Sequence, residues 1–181
     1  MAGDILALMD HLDLRRADLM GYSMGSHLAL AAALAAPERF SNLILGGVGA
    51  RMLPGATTPF GGSMTMAEAM RAADSASIGE PTLKGFRQFA ENQGEDRLAL
   101  AACSEGRGSP LSLADLQRLA PPTLVVAGQR DDIAGDPQPL ADAIAGAKCV
   151  VLPACDHFSA TPHALFKAAV FDFLEGWLDE P

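Results

Sequence analysis

The stretch ADLMGYSMGSHLALAAALAA, residues 17–36, decides the fold of this chain. A short apolar run that favours a strand leads into Gly-x-Ser-x-Gly, and an Ala-rich helical run follows until Pro37 ends it. A serine in such a strand-to-helix turn adopts a strained backbone that raises its hydroxyl above the sheet. Gly21 and Gly25 are expected to keep Cβ atoms out of that turn. Ser23 is therefore a candidate nucleophile.

Helix and strand patterns alternate on both sides of this turn. Residues 4–12 carry apolar side chains at helical spacing. Apolar runs typical of buried strands follow at NLILGG (42–47), TLVVAG (123–128) and AKCVVLPA (147–154). A last helix is predicted to begin at residues 161–162, a Thr-Pro pair. This order predicts an α/β fold with a parallel sheet, whose functional side chains lie at the carboxyl ends of the strands.

Residues 51–120 differ in character from the rest of the chain. They contain short predicted helices with their own capping boxes, Thr65 with Glu68 and Ser112 with Asp115. Gly- and Pro-rich loops separate these helices. We interpret residues 1–181 as one domain that carries a helical insertion at 51–120.

A serine hydroxyl needs a base, and the base needs an acid to orient it. AGQRDD (127–132) leaves one predicted strand and PACDHF (153–158) leaves the next, both at the same rim as the serine. Asp131 and His157 are the candidates in these two loops, and Asp132 is an alternative acid.

With GYSMG, PPTLVVAGQRDD and LPACDHFS in this order, the chain resembles an α/β-hydrolase of the esterase and lactonase type. The resemblance implies that Ser23 attacks a carbonyl, that His157 transfers its proton, and that Asp131 orients the imidazole. It also implies that the backbone N–H of Met24 stabilises the oxyanion.

The resemblance also implies strands ahead of the elbow, one of whose loops supplies a second oxyanion N–H. That N-terminal part of the usual sheet is absent from this sequence, which supplies the elbow strand and three later strands. The strand at Ala17–Gly21 would then be an edge with unpaired backbone groups. We expect the chain to be either a fragment of a longer hydrolase or a shortened form that pairs this edge with a second copy of itself as a homodimer.

Four residues are candidates for the substrate pocket. In relatives the insertion covers the site as a lid, and its apolar side chains suggest a hydrophobic pocket. Packing of the insertion against the core explains those side chains equally well. The candidates are Tyr22, Met64, Phe86 and Phe158.

Composition excludes several classes of partner. The net charge is −9 with no basic cluster, and the longest apolar run is too short to span a bilayer. We therefore expect no nucleic acid and no membrane as partners. No metal-ligand spacing and no phosphate-binding loop is present, so no cofactor is implied. Three cysteines without a C-x-x-C spacing fit the cytoplasm.

The function favoured by the sequence is hydrolysis of small carboxylic esters or lactones through an acyl-enzyme. Enol-lactone opening, carbon–carbon bond hydrolysis of diketones and perhydrolysis remain open, because the pocket and the oxyanion loop decide among them. The alternative of another class is a catalytically silent hydrolase-like module that acts through self-association or partner binding.

Overall fold

The computed structural model describes residues 1–56, 60, 64–106 and 111–179. It consists of two compact units: Met1–Thr57 together with Leu111–Pro181, and Thr58–Pro110. The helices, in chain order, are α1 (Ala2–His11), α2 (Met24–Ala35), α3 (Met66–Arg71), α4 (Pro81–Gln93), α5 (Arg97–Glu105), α6 (Leu113–Gln117), α7 (Gln138–Asp142) and α8 (Ala164–Leu174).

The first unit is built on a parallel sheet. Its strands are β1 (Ala17–Tyr22), β2 (Phe40–Gly46), β3 (Thr123–Gly128) and β4 (Lys148–Leu152). They lie side by side in the order β1-β2-β3-β4, and every neighbouring pair is parallel. The predicted α/β core of an elbow strand and three following strands is thereby confirmed.

Both faces of this sheet are buried, which explains the continuous apolar runs of its strands. Leu43 and Leu45 face the side on which α2 packs, whereas Ile44 faces the side of α8. Val125 and Val126 divide between the two faces in the same way. Two separate cores therefore fix the sheet, and the carboxyl ends of its strands meet at one rim.

Strand β1 is at the edge of the described sheet. Met20 is 57% exposed there, whereas Ile44, its partner on β2, is 1% exposed. The pairing of this edge with a second copy of the chain stays a prediction.

The second unit contains α3, α4 and α5. Arg87 of α4 is 1% exposed and donates to the carbonyl oxygens of Ala69 at 2.9 Å and Ala72 at 2.7 Å. Its Nε also pairs with Glu91 at 2.9 Å. The arginine thus satisfies carbonyl groups at the end of α3 that the helix itself leaves unpaired.

This second unit spans fewer residues than the predicted insertion at 51–120. Met52 and Leu53 pack in the core of the first unit, and so do Leu116 and Leu119 near the other end. Their apolar side chains find buried partners beside the sheet, so the compact helical unit is limited to Thr58–Pro110.

Candidate active site

Ser23 occupies the sharp turn between β1 and α2. Its backbone has φ 52° and ψ −115°, a conformation that is unfavourable for a residue with a Cβ. A Cβ at Gly21 would lie 2.2 Å from the carbonyl oxygen of Gly25, so only glycine fits there. The expectation for Gly25 was wrong, because a Cβ at that position would meet nothing within 4 Å. The Gly25 carbonyl group instead occupies the space beside Gly21 that a Cβ at Gly21 would need.

A buried serine, absent from the sequence prediction, ties this elbow to the sheet. Ser26 is 0% exposed and its hydroxyl lies 2.9 Å from the carbonyl oxygen of Gly21 and 2.8 Å from that of Gly46. These contacts join the first turn of α2 to the ends of β1 and β2. Nothing in the spacing of Ser26 distinguishes it from an ordinary helix serine.

The structure brings Ser23 and His157 together. The Nε2 atom of His157 lies 2.9 Å from the Ser23 hydroxyl oxygen, and the histidine is 5% exposed. This is the hydrogen-bond distance that a base requires to take the serine proton.

The other ring nitrogen of His157 faces Asp131. Nδ1 lies 2.8 Å from Oδ2 and 3.0 Å from Oδ1, and Asp131 is 3% exposed. Oδ1 also accepts hydrogen bonds from the backbone N–H groups of Ile133 at 3.1 Å and Ala134 at 2.9 Å. Because the carboxylate accepts a hydrogen bond from Nδ1–H, Nε2 carries no proton and can accept the hydrogen bond of the serine hydroxyl. The neighbouring Asp132 is exposed and does not share this contact.

A tight turn holds the loop that carries His157. The Asp156 carboxylate accepts from the backbone N–H groups of Phe158 at 3.0 Å and Ser159 at 2.8 Å, and from the Ser159 hydroxyl at 2.7 Å. The Ser159 hydroxyl, followed by its backbone N–H, holds the pKa of Asp156 below its usual value. Sequence reasoning missed these two residues, although Asp and Ser three apart around a histidine is a recognisable turn pattern.

The Asp156→Asn variant is expected to change how stability depends on pH. A carboxyl group whose pKa is lowered by folding stabilises the folded state above its unfolded pKa, about 3.9, and loses that effect as the pH falls through the folded pKa. The difference in free energy of unfolding between wild type and Asp156→Asn should therefore be full at neutral pH and shrink below about pH 4. Urea unfolding across that range measures it. A difference that does not vary with pH would contradict this assignment, and Ser159→Ala should reduce the effect.

Tyr22 and Phe158 both contact the His157 ring. The ring centroids are 5.4 Å apart for Tyr22 and 5.7 Å apart for Phe158, which meets the imidazole edge to face. Phe158 is 47% exposed and stays a candidate for contact with substrate. Tyr22 is half-buried, and its hydroxyl donates to the carbonyl oxygen of His157. Met64 and Phe86 lie in the apolar clusters of the second unit, and their pocket role stays a prediction.

Met24 is the first residue of α2. The first four N–H groups of a helix have no acceptor within the helix, and they favour negative charge. The Met24 N–H therefore meets the chemical requirement for an oxyanion donor beside Ser23.

In the part of the chain that the structure describes, no three His, Cys, Asp or Glu side chains cluster as metal ligands would. Across the same residues, no helix has both the length and the apolar character needed to cross a membrane.

Comparisons with known proteins agree with the fold of this chain. The alpha/beta hydrolase family profile matches residues 2–168. The chain is 30% identical over 185 residues to a 2-hydroxymuconate semialdehyde hydrolase of Pseudomonas sp. (strain CF600), covering 93% of this chain and 65% of the relative. The chain thus spans just under two thirds of that curated relative.

Two solved structures are similar over nearly the whole chain. A hydrolase from Pseudomonas aeruginosa superposes with a TM-score of 0.71 at 28% identity, covering 96% of this chain and 70% of that one. A serine hydrolase from the bacterium Cycloclasticus zankles gives 0.68 at 20% identity, covering 99% and 71%, and shows the shared fold alone. With a profile match over most of its length, this chain belongs to the α/β-hydrolase family, and its relatives are hydrolases.

Proposed function

We propose that this chain is a serine hydrolase that opens small carboxylic esters or lactones through an acyl-enzyme. The observation that supports the proposal most strongly is the continuous contact from Ser23 through His157 to Asp131, at 2.9 Å and 2.8 Å. Family membership supports hydrolysis, and the ester or lactone class is the finer part of the proposal.

In the first half of the reaction, the Ser23 hydroxyl attacks the carbonyl carbon of the substrate as its proton passes to Nε2 of His157. Asp131 stabilises the imidazolium that forms, without taking the proton itself. The negative charge on the former carbonyl oxygen is met by the Met24 N–H at the start of α2. His157 then gives its proton to the leaving alkoxide, and the acyl group remains on Ser23.

In the second half, water attacks the acyl-enzyme and loses its proton to His157. The acid departs as that proton returns to Ser23, so the net reaction consumes one water molecule. A lactone follows the same path, except that its leaving alkoxide stays attached to the acyl group.

Two exposed apolar side chains belong to residues next to the proposed catalytic groups. Met24, next in sequence to the nucleophile, and Phe158, against the imidazole, are each 47% exposed. Exposed apolar surface at a reactive centre favours an uncharged, apolar group on the substrate.

A fluorophosphonate probe tests the proposal. An activated Ser23 should be labelled, and peptide mass spectrometry should locate the label on that residue. His157→Ala should prevent labelling because the hydroxyl loses its base, whereas His11→Ala, on the exposed part of α1, should be labelled at the wild-type rate. A folded wild-type protein that stays unlabelled would contradict the proposal and favour the catalytically silent module.

The relative at 30% identity favours a second candidate, carbon–carbon bond hydrolysis. The compound in its name, 2-hydroxymuconate semialdehyde, has no ester linkage, so hydrolysis must break a carbon–carbon bond. The same serine, histidine and aspartate could serve that reaction. Turnover of this compound compared with p-nitrophenyl butyrate decides between the two, since each candidate predicts the larger kcat/KM for its own substrate class.

A further inference from the structure

We propose that Tyr22 is a positioning residue, whose hydroxyl holds the backbone of His157 so that the imidazole stays aligned with Ser23. This inference rests on the proposed function. The Tyr22 hydroxyl donates to the His157 carbonyl oxygen at 2.5 Å, while Ser23, the next residue, contacts Nε2 of the same histidine at 2.9 Å. Two consecutive residues thus hold the backbone and the side chain of the base.

The Tyr22 ring lies in a slot that the sheet provides. A Cβ at Gly46 would be 2.7 Å from the tyrosine ring, and one at Gly47 would be 2.6 Å from it. Phe166 of α8 packs edge to face on the ring, with centroids 5.9 Å apart. Because glycine backbone and an aromatic ring confine it, the phenol has little freedom, and its hydroxyl is a fixed point for the loop.

Other contacts hold the loop on both sides of the histidine, but they act on other groups. The Arg130 N–H donates to the Cys155 carbonyl oxygen at 2.8 Å, Asp131 faces Nδ1 of the imidazole, and Asp156 accepts from the N–H groups that follow His157. The Tyr22 hydroxyl bonds to the His157 carbonyl group itself. A misplacement of about 1 Å in a reacting group can lower the rate by about 10²-fold. The Tyr22 hydrogen bond opposes that displacement directly.

The hydroxyl stays a donor over the working pH range. Burial raises the pKa of Tyr22 to about 12, against the opposing effect of the Thr161 side chain. The chain has one tyrosine, so the tyrosinate absorbance of the protein reports Tyr22 alone. This titration provides a direct check that the phenol is buried in solution.

Tyr22→Phe keeps the ring in its slot and removes only the hydroxyl. We expect kcat on p-nitrophenyl butyrate and the rate of fluorophosphonate labelling to fall together, by about 10- to 100-fold, with KM changed by less than about twofold. A merely structural role would lower the melting temperature while leaving kcat of the folded protein unchanged, and that result would overturn the inference.

Two further measurements keep the inference testable if Tyr22→Phe folds poorly or turnover is low. Gly46→Ala pushes on the tyrosine ring while keeping the Tyr22 hydroxyl and the three proposed catalytic side chains, and should lower kcat in the same way. Because the Gly46 carbonyl oxygen also accepts from the Ser23 N–H at 2.8 Å, NMR of His157 is the readout that assigns this loss to the histidine. In proton NMR, the strongly downfield Nδ1 proton shared by His157 and Asp131 should be sharp in wild type and broadened in Tyr22→Phe.

These readouts separate the two proposals. If wild type is labelled and Tyr22→Phe is labelled equally fast with an unchanged Nδ1 proton, the positioning role is wrong and the hydrolase proposal stands. If wild type is not labelled, the hydrolase proposal fails, and the NMR comparison still shows whether Tyr22 aligns the histidine.

Discussion

Replacing Ser23 with alanine is expected to lower kcat on p-nitrophenyl butyrate by about 10⁶-fold, since loss of the nucleophile in a comparable triad has an effect of that order. The substitution removes only the hydroxyl group, whose oxygen lies 2.9 Å from Nε2 of His157, so the fold should be unaffected. Steady-state kinetics measure the loss. Ser104→Ala, in the second unit, is the matched control and should keep wild-type kcat.

The backbone of Ser23 supplies a second, independent expectation. Its φ of 52° is equally unfavourable for serine and for alanine, but glycine adopts it readily. Ser23→Gly should therefore be inactive and yet more stable to urea than Ser23→Ala, by about 1 kcal/mol. This difference in stability between the two variants would show that the fold holds residue 23 in a strained conformation. Equal stability of the two variants would contradict that view.

Local patterns of sequence were sufficient for much of the fold. The run TLVVAG predicted strand β3 with its observed bounds, Thr123–Gly128, because a strand buried on both faces is apolar throughout. The capping boxes of Thr65 with Glu68 and Ser112 with Asp115 are both confirmed. These features depend on residues three positions apart, which a sequence displays directly.

The exact start of a helix and the course of a turn depend on the backbone angles of several neighbouring residues, and these features were predicted less well. The last helix was expected to begin at the Thr-Pro pair, but α8 begins at Ala164, because the His163 side chain accepts from the Leu165 N–H and caps the helix there. The choice between Asp131 and Asp132 was open for the same reason. Only the course of the turn after β3 decides which carboxylate faces His157.

Contacts between distant parts of the chain could be predicted only where recognisable motifs imply them. The motif order placed Ser23, Asp131 and His157 at one rim, since parallel strands share their carboxyl ends. The hydrogen bond from Tyr22 to the His157 carbonyl group joins residues 135 positions apart and leaves no trace in spacing. It follows from how closely the β4 loop approaches the end of β1, which three-dimensional packing alone determines.

Asp131→Asn is expected to lower kcat by about 10⁴-fold, which is the size of effect seen when the acid of a catalytic triad becomes an amide. Asp132→Asn should leave kcat within about twofold of wild type. The structure explains why the Asp131→Asn substitution should act through the histidine tautomer. Oδ1 of Asp131 accepts from the N–H groups of Ile133 and Ala134, so the carbonyl oxygen of an asparagine must occupy that position. Its NH₂ group is then directed at Nδ1, where Oδ2 lies at 2.8 Å.

An amide N–H facing Nδ1 makes that nitrogen the acceptor, and the single ring proton of neutral His157 moves to Nε2. Nε2 then donates to Ser23 instead of accepting from it, and the base function is lost although every heavy atom is in place. Steady-state kinetics on p-nitrophenyl butyrate, together with nitrogen-15 NMR of the imidazole, measure both effects. Asp132→Asn is the matched control, because its side chain is exposed one position along the chain. A large loss in Asp132→Asn with little in Asp131→Asn would transfer the acid role to Asp132 and contradict the geometry of the site.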